Sequence, residues 1–449
     1  MQMDLAAWDY AAFVQQLERA VSGLHVPSSS AEHRAANAWL VSLVENASAP
    51  QWCVALLESQ QRMAVTEAAL VVAAGVVAEA AKKATDTGDI STRVLSLLRL
   101  CVGVPSRPAA ARLANAVASV ASASRMEDAL LASHDFAVLD STRQLLLLQA
   151  VAEALEEQAS PEELFVRPSV RAACSIAVQL LHEALLPSTA LPTSPPEAAA
   201  PVLRCLASWG ACGLCYMHLI TAQPALAAAL IGALQAPSAF PSTLTGDVEA
   251  IVHAALAATV IRNCLMSSME AGDEVELSAC APLLRALGAL ACVAAALGAP
   301  IVEGESGSIG HGEGGNGGGH GSNVGDCNAQ DGASAELVGV AAASAAILLE
   351  LLIDEFEKPE ECSNDALDGN SNGLGLLHGL IELLLACSAH PFATPAENAM
   401  EGLLTFLTAL PPTRDQAWRP ALCNLITERV GVRCACAELR RGTGDMDEL

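Results

Sequence analysis

Segments with the periodicity of amphipathic helices follow one another along most of this chain. In Leu145, Leu148, Ala152 and Leu155 the apolar residues recur at steps of three and four, which places them on one face of a helix. Composition agrees with this pattern, because Ala and Leu supply most of the apolar residues and only 3% of all residues are aromatic. The sequence therefore predicts an all-α fold.

Helix start signals help to place the individual helices. Ser48, Ser160 and Thr394 are each followed by a proline within two positions, so that a hydroxyl and a proline are available for the first turn of a helix. The predicted helices cover residues 4–23, 30–46, 49–60, 64–84, 90–103, 106–122, 125–133, 141–157, 168–186, 196–216, 223–235, 246–270, 276–298, 334–357, 374–388, 395–410 and 416–437.

The spacing of these helices predicts a repeat architecture. Two successive helices take roughly 40 residues, which is the period of HEAT-type repeats. In a HEAT/armadillo-like α-solenoid, a superhelix of antiparallel helix pairs, each pair packs only on its neighbours, so that 449 residues can form one continuous body. No exact repeat is visible in the sequence, and this prediction therefore depends on helix spacing alone.

Three stretches interrupt the helical pattern. Residues Glu303–Ala333 are crowded with Gly, Ser, Asn and Asp, a composition that cannot bury a core and indicates a flexible, Gly-rich insertion. Pro359–Gly373 is predicted to be an acidic loop, and Pro187–Pro196 a proline-rich connector.

The charge of the chain restricts its partners. Lys and Arg number 23 and Asp and Glu number 50, which gives a formal net charge of −27. Direct nucleic-acid binding is not expected, because it requires a basic surface. Such an acidic protein attracts basic protein partners instead.

Targeting signals and membrane spans are not expected either. Met1–Asp4 carries no positive charge of the kind that opens a secretory signal, and the 15 scattered cysteines are typical of reduced thiols in a cytosolic or nuclear protein. Of the two longest apolar runs, Ala286–Val302 is mostly Ala and Gly and is shorter than the roughly 20 residues that a span needs. The other, Val338–Ile353, contains Glu350.

Motifs for cofactor and metal binding are weak. The segment Gly310–Gly315 matches the glycine spacing of a dinucleotide fingerprint, but no strand precedes it and no helix follows it in the predicted pattern. His311 and His320 lie in the same tract, where only Cys327 is nearby as a further soft ligand. We therefore expect no cofactor and no metal ion.

The cysteine pairs do not indicate catalysis. Cys212 and Cys215 have the spacing of a redox or metal site, yet they lack a second cysteine pair and a βαβ context, and their apolar surroundings raise a thiol pKa. Cys434 and Cys436 are an equally weak signal. No motif brings a nucleophile, a base and an orienting group together, so the chain is predicted not to be an enzyme.

Two helices near the start of the chain carry the first part of a family resemblance. One helix ends in Trp39 and Leu40, and the next contains Trp52 followed by Leu56 and Leu57. This arrangement resembles the N-terminal repeat of the importin-β superfamily, in which a helix ending in Trp-Leu precedes a helix with Trp and Leu-Leu.

A later helix resembles one branch of that superfamily, the branch that holds transportin-SR and importin thirteen. Residues Leu145–Gln158 are similar to a leucine-rich helix of this branch. The most specific match is a helix with Arg204, Cys205, Ser208 and Trp209, which is similar to the branch's Arg-Cys-Leu-x-Ser-Trp helix.

The last matching segment contains Cys387, His390 and Pro391 and is similar to the branch's Leu-Leu-x-Cys-x-x-His-Pro segment. All of these matches occur in the family's order and span about residues 30 to 410. They correspond to the N-terminal half of a typical member.

The resemblance implies a nuclear transport receptor that shuttles between nucleus and cytoplasm through the nuclear pore. In such receptors Ran-GTP binds the inner face of the N-terminal repeats, protein cargo binds elsewhere on the concave surface, and Phe-Gly nucleoporins dock between outer helices. For this chain it implies Ran-GTP, basic protein cargo and Phe-Gly nucleoporins as partners. The matched residues are packing residues, so no individual Ran-contacting residue follows from them.

The resemblance and the helix spacing together predict the organisation of the chain. We expect importin-β N-terminal-like, Ran-facing HEAT repeats over 1–150, central HEAT repeats over 151–300, the Gly-rich insertion over 301–335, further HEAT repeats over 336–440 with an acidic loop at 359–373, and an acidic tail over 441–449.

Two other functions stay open on the sequence alone. The same helices would serve a HEAT-repeat scaffold for a non-transport assembly, and binding of Phe-Gly peptides distinguishes a transport receptor from such a scaffold. An enzyme with its site across the Gly-rich tract is the third hypothesis, and deletion of Glu303–Ala333 would then abolish an activity.

Overall fold

The computed structural model describes residues 9–59, 63–83, 90–158, 160, 163–164, 167–190, 199–239, 248–298, 324–352, 373–388, 390, 393–409, 420 and 424. It is 87% helical, and none of the described residues lies in a strand, which confirms the predicted all-α class. The chain divides into two compact units, Met1–Ala184 and Leu185–Leu449, called unit 1 and unit 2 below.

Unit 1 is built around a helix that is covered on both sides. Its helices are α1 (Tyr10–Gly23), α2 (Ala31–Glu45), α3 (Ala49–Glu58), α4 (Glu67–Lys83), α5 (Ile90–Gly103), α6 (Arg107–Ala123), α7 (Glu127–Leu131), α8 (His134–Ala137) and α9 (Ser141–Gln158), and α10 (Pro168–Ala190) runs across the division into unit 2. Helix α6 packs against both α4 and α9. Its buried residues are mostly Ala, with Leu113 and Val117, and small side chains let neighbouring helices approach closely.

Polar contacts in unit 1 join residues about 40 positions apart. Ser106 Oγ donates to Glu67 Oε1 at 3.0 Å, 39 positions earlier in the chain. Arg143 Nη2 donates to the carbonyl of Val104 at 2.7 Å, again across 39 positions. These separations equal the length predicted for one pair of helices.

The turn between α6 and α7 holds a buried ion pair with the same separation. Arg167 Nη2 donates to Glu127 Oε1 at 2.6 Å and to the carbonyl of Ser122 at 3.3 Å. The Glu127 side chain is fully buried and that of Arg167 is 13% exposed. One guanidinium therefore neutralises a buried carboxylate and also binds the Ser122 carbonyl near the end of α6, which already accepts from the amide of Arg125 at 3.1 Å.

The helices of unit 2 pack in two rows. They are α11 (Ala199–Ala211), α12 (Tyr216–Ala222), α13 (Pro224–Ala239), α14 (Val248–Ala271), α15 (Leu277–Gly298), α16 (Val324–Leu351), α17 (Gly373–Ser388) and α18 (Ala393–Ala409). Successive contacts link α11, α14, α16 and α18 in one row and α13, α15 and α17 in the other. Contacts between α13 and α14, α15 and α16, and α17 and α18 join the two rows.

Asparagine side chains connect neighbours within the first row. Asn263 Nδ2 of α14 donates to the carbonyl of Ala207 in α11 at 2.9 Å. Asn398 Nδ2 of α18 donates to the carbonyl of Gly339 in α16 at 3.0 Å. Such bonds satisfy polar groups that would be costly to leave unpaired between packed helices.

The predicted helix start signals have mixed outcomes. Ser160 behaves as expected, because its Oγ accepts from the amide of Glu163 at 3.4 Å. Ser48 precedes α3, but its hydroxyl makes no capping bond because its backbone is already helical, and its amide instead donates to Asn46 Oδ1 at 2.9 Å. Thr394 lies inside α18, which begins at Ala393.

Two short helices were not predicted, and one predicted helix is too long. α8 and α12 are additional elements, and the helix expected over 196–216 ends at Ala211. It ends there because Gly213 adopts a left-handed conformation with φ 108°, and the amide of Leu214 turns back to the carbonyl of Trp209. Glycine adopts this conformation without steric cost.

The Gly-rich insertion predicted for 301–335 differs from the structure at its end, since α16 already begins at Val324. Once the apolar residues from Leu337 onward are packed, adding residues to the start of a helix is favourable. The rest of the insertion, the acidic loop before Gly373, the tail 441–449 and nearly all of the predicted helix 416–437 lie outside the described residues.

Within the described residues of unit 2, three helices are long and apolar enough to cross a membrane, judged by length and composition: Glu249–Ala271, Leu277–Ala295 and Gly332–Leu351. The bent pair α12 and α13 would add a fourth if it formed one span. In the most apolar stretch of the three helices, 56%, 44% and 56% of the residues are buried inside the protein. A helix that is apolar all round is typical of a protein core as well as of a membrane.

Candidate functional site

A surface groove in unit 2 lies where the chain bends between α12 and α13. Helix α12 meets α13 at an angle of 116°, and Pro224 begins the second helix, a position where its missing N–H costs nothing. Together with α15 these helices line an open space of about 360 Å³. We call this space the corner groove.

Polar residues of α14 hold the corner in place. Ser267 Oγ donates to the carbonyl of Gly210 at the end of α11, at 2.7 Å. Ser268 Oγ accepts from the amide of Tyr216 at 2.9 Å. Because Cys215, the residue before α12, makes no side-chain cap of its own, Ser268 satisfies an amide at the start of α12 that would otherwise lack a partner.

Small residues keep the groove open. On α13 the lining residues Ala228 and Gly232 are four positions apart and both exposed, and on α15 Ala279 and Pro282 are three positions apart. A Cβ added at Gly232 would have nothing within 4 Å. The space above Gly232 can therefore accept a side chain from another molecule.

The lining is apolar apart from three residues. Tyr216 is 1% exposed, and its hydroxyl has no hydrogen-bond partner. Gln235 and Arg285 are exposed at the rim. Among the described residues that line the groove, Arg285 is the one with a charge.

Thiols surround the inner side of Tyr216. Burial raises the pKa of the Tyr216 hydroxyl, and nearby Cys280 and Cys264 raise it further. Burial also raises the pKa of Cys280 to about 12 and, with a smaller contribution from Cys215, raises that of Cys264. These thiols stay protonated at neutral pH and are poor nucleophiles.

The predicted Cys212–Cys215 pair belongs to this same corner. Cys212 is buried and Cys215 half-buried, and neither forms a disulfide. Cys215 Sγ lies 3.7 Å from the carbonyl of Ser267, to which it donates. Within the described part of the chain, no group of three or more His, Cys, Asp or Glu residues could hold a metal ion.

The residues of the Arg-Cys-Leu-x-Ser-Trp match lie on α11. Cys205 and Trp209 are fully buried, whereas Arg204 is exposed and Ser208 half-buried. The side of α11 next to Trp209 meets α14 at Gly210, where an added Cβ would lie 3.0 Å from Asn263 Cβ. The matched apolar residues are therefore in the core beside the corner groove, and they do not line it.

The residues of the N-terminal match lie in unit 1. Leu56 and Leu57 are fully buried. Trp39, Leu40 and Trp52 are only half-buried. The Trp52 ring stacks on that of Tyr10 with 6.0 Å between centroids and meets Phe13 at 5.9 Å, so Trp52 packs helix α3 against α1.

The third match lies at the end of α17. Cys387 is fully buried and His390 is 2% exposed. Cys387 Sγ donates to the carbonyl of Val338 in α16 at 3.9 Å. Pro391 lies outside the described residues, as do Gly310–Gly315, His311, His320, Cys434 and Cys436.

Sequence reasoning missed the corner groove. The prediction ran one helix through 196–216 and the next from 223, so the short α12 and its bend were absent. The signal was available, because Gly213 and Pro224 are two helix breakers on either side of a ten-residue, mostly apolar stretch. The contact between this bend and α15, which lies more than 50 positions later in the chain, could not be predicted from local sequence pattern.

The two comparisons with known proteins identify no relative of this chain. A scan against protein-family models gives no match, and a search of curated proteins finds no significant similarity. The likeness to the importin-β superfamily therefore stays a prediction from the motifs described above.

Proposed function

We propose that the chain is a HEAT-type α-solenoid that acts as a nuclear transport receptor, binding Ran-GTP and protein cargo. The observation that carries the solenoid is the contact pattern of unit 2, in which α13, α15 and α17 form one row and α11, α14, α16 and α18 the other. Helix pairs that pack only on their neighbours produce such rows.

Unit 1 supports the same architecture through its polar contacts. The contacts of Arg143 with Val104 and of Arg167 with Glu127 span 39 and 40 positions. Contacts repeated at one helix-pair length are what stacked repeats of roughly 40 residues would produce.

The transport function comes from the resemblance alone, and the burial of some of the matched residues supports their role in packing. Cys205, Trp209 and Cys387 are fully buried, as packing motifs of a repeat family should be. The net charge of −27 suits basic cargo, since it raises the rate of encounter with a positively charged partner.

The proposed mechanism is negative coupling between two ligands. Nearest-neighbour packing lets stacked helix pairs bend, so Ran-GTP and cargo that favour different curvatures lower each other's affinity. Coupling of this kind typically amounts to 1–3 kcal/mol, or roughly 5- to 150-fold in affinity. Release of cargo in one compartment then follows from the nucleotide bound to Ran.

The test is a pulldown of the purified full chain with Ran loaded with a hydrolysis-resistant GTP analogue, and with Ran-GDP as the matched control. We expect capture of the GTP form only. Equal capture of both forms, or capture of neither, contradicts the receptor. Binding of Phe-Gly peptides without binding of Ran-GTP also contradicts the proposed receptor. If the chain binds neither Phe-Gly peptides nor Ran-GTP, the HEAT-repeat scaffold is the better description.

A further inference from the structure

We propose that the corner groove docks a short segment of a partner protein that presents an apolar side chain next to a carboxylate. The inference is argued from the lining of the groove alone, and it stands whether or not the chain is a transport receptor.

The apolar walls of the groove are the reason for expecting an apolar side chain in the partner segment. Ile220 and Ile231 are half-buried there, and the proline side chains of Pro224 and Pro282 are exposed beside them. The groove is open to solvent, and its volume of about 360 Å³ is at the small end of the range for ligand sites. It suits one or two anchoring side chains of a peptide, whose remaining residues stay in solvent.

Arg285 is the reason for expecting a carboxylate in the partner segment. This residue lies three positions after Pro282 on the same exposed stripe of α15. Among the described residues, Arg99, Arg143 and Arg167 have carboxylate partners. Arg285 forms neither an ion pair nor a hydrogen bond within that part of the chain. An unpaired guanidinium beside an apolar surface, with no acidic residue in the groove lining, is complementary to a carboxylate that follows an apolar anchor.

Fluorescence anisotropy of the full chain with labelled peptides tests the proposal. The probe is GSGLFDGSG, and its matched controls are GSGLFNGSG, which lacks the carboxylate, and GSGAADGSG, which lacks the anchor. We expect GSGLFDGSG to bind about three- to fivefold more tightly than GSGLFNGSG, the gain of one exposed ion pair. GSGAADGSG should not bind measurably.

Variants of the protein locate the site. Arg285→Gln should remove the preference for GSGLFDGSG over GSGLFNGSG, while Arg262→Gln, a change at an exposed arginine on α14 outside the groove, should keep it. Gly232→Phe fills the groove and should weaken both peptides at least tenfold. Gly332→Phe is its matched control, because Gly332 is also exposed with nothing within 4 Å of an added Cβ.

Three results overturn the proposal. One is the absence of binding by GSGLFDGSG, and another is equal affinity for GSGLFDGSG and GSGLFNGSG, which would leave a purely apolar site. The third is an unchanged affinity of the Gly232→Phe variant for the peptides, because they would then bind elsewhere on the chain. Circular dichroism verifies that this variant is folded.

Discussion

Glu127 shows how a single charged residue is accommodated in this apolar protein. Its carboxylate is fully buried, and Arg167 neutralises it at 2.6 Å. In the sequence, Ser124 and Glu127 are three positions apart, which is the spacing of a helix-capping pair. In the structure Ser124 instead follows the end of α6, so Glu127 depends on a partner 40 positions away.

Removing the Glu127 carboxylate should therefore be costly. We expect Glu127→Gln to lower the free energy of unfolding by about 3 kcal/mol, because it leaves a largely buried guanidinium without its counter-charge. Asp135→Asn, which breaks the exposed pair with Arg99 at 3.7 Å, should cost less than about 1 kcal/mol. Urea unfolding followed by circular dichroism measures both, and equal losses would refute the buried pair.

Cysteine reactivity offers a second measurement at the residue scale. Burial raises the pKa of Cys53, Cys280 and Cys387 to about 12 and that of Cys101 to about 11. Cys292 is exposed. Brief iodoacetamide labelling at pH 8, read by peptide mass spectrometry, should modify Cys292 in the native protein and the other four only after denaturation. Prompt native labelling of Cys53 or Cys387 would contradict their packing.

At the scale of helices, glycines decide how closely neighbours approach. In unit 2 a Cβ added at Gly288 would lie 3.3 Å from Gly379 Cα, so α15 and α17 cross at two glycines. A Cβ added at Gly402 of α18 would lie 2.6 Å from Ala346 Cβ of α16. These contacts explain why helices so rich in Ala and Gly still form a dense interior, since close approach compensates for small side chains.

Alanine substitutions at two helical glycines should have opposite effects. Gly402→Ala forces a methyl group against Ala346 and should lower the free energy of unfolding by about 1–3 kcal/mol. Gly232→Ala meets open space and should raise it by about 0.5–1 kcal/mol, because alanine favours the helix. Thermal and urea unfolding provide the comparison, and stabilisation by Gly402→Ala would show that α16 and α18 are further apart than described.

At the scale of the whole molecule, the apolar helices of unit 2 raise the question of whether the protein folds in water or in a membrane. Each of the three longest carries an exposed charged residue within its apolar stretch, including Arg262 near the middle of α14 and Arg285 near the middle of α15. An arginine at the centre of a membrane span costs about 2.5–3.5 kcal/mol on insertion scales. We expect these helices to fold in water, because they pack into two rows and 44–56% of each apolar stretch is buried inside the protein.

We therefore expect the full chain, expressed without detergent, to remain in the supernatant after ultracentrifugation and to stay there when phospholipid vesicles are added. Co-sedimentation with the vesicles that resists alkaline carbonate would show that the helices insert, and would contradict the solenoid. A protein with an established membrane span serves as the control for the carbonate step.

Much of the fold followed from local pattern, but the candidate site did not. Helices α4, α9 and α15 agree to within a few residues with the helices predicted over 64–84, 141–157 and 276–298. The corner groove needs Tyr216, Gly232 and Arg285 together, and no periodicity relates them. Its walls come from three helices, and one of them, α12, is too short for a helical periodicity to be recognised in the sequence.

The sequence by itself determined that this protein is helical, because helix formation depends on residues three and four positions apart and on caps within one turn. Only the tertiary structure decided which helices meet, that Arg167 neutralises Glu127, and that an unpaired arginine lies beside an apolar groove. Those contacts join residues 40 or more positions apart, and their energies depend on burial and distance, which exist only once the helices have packed.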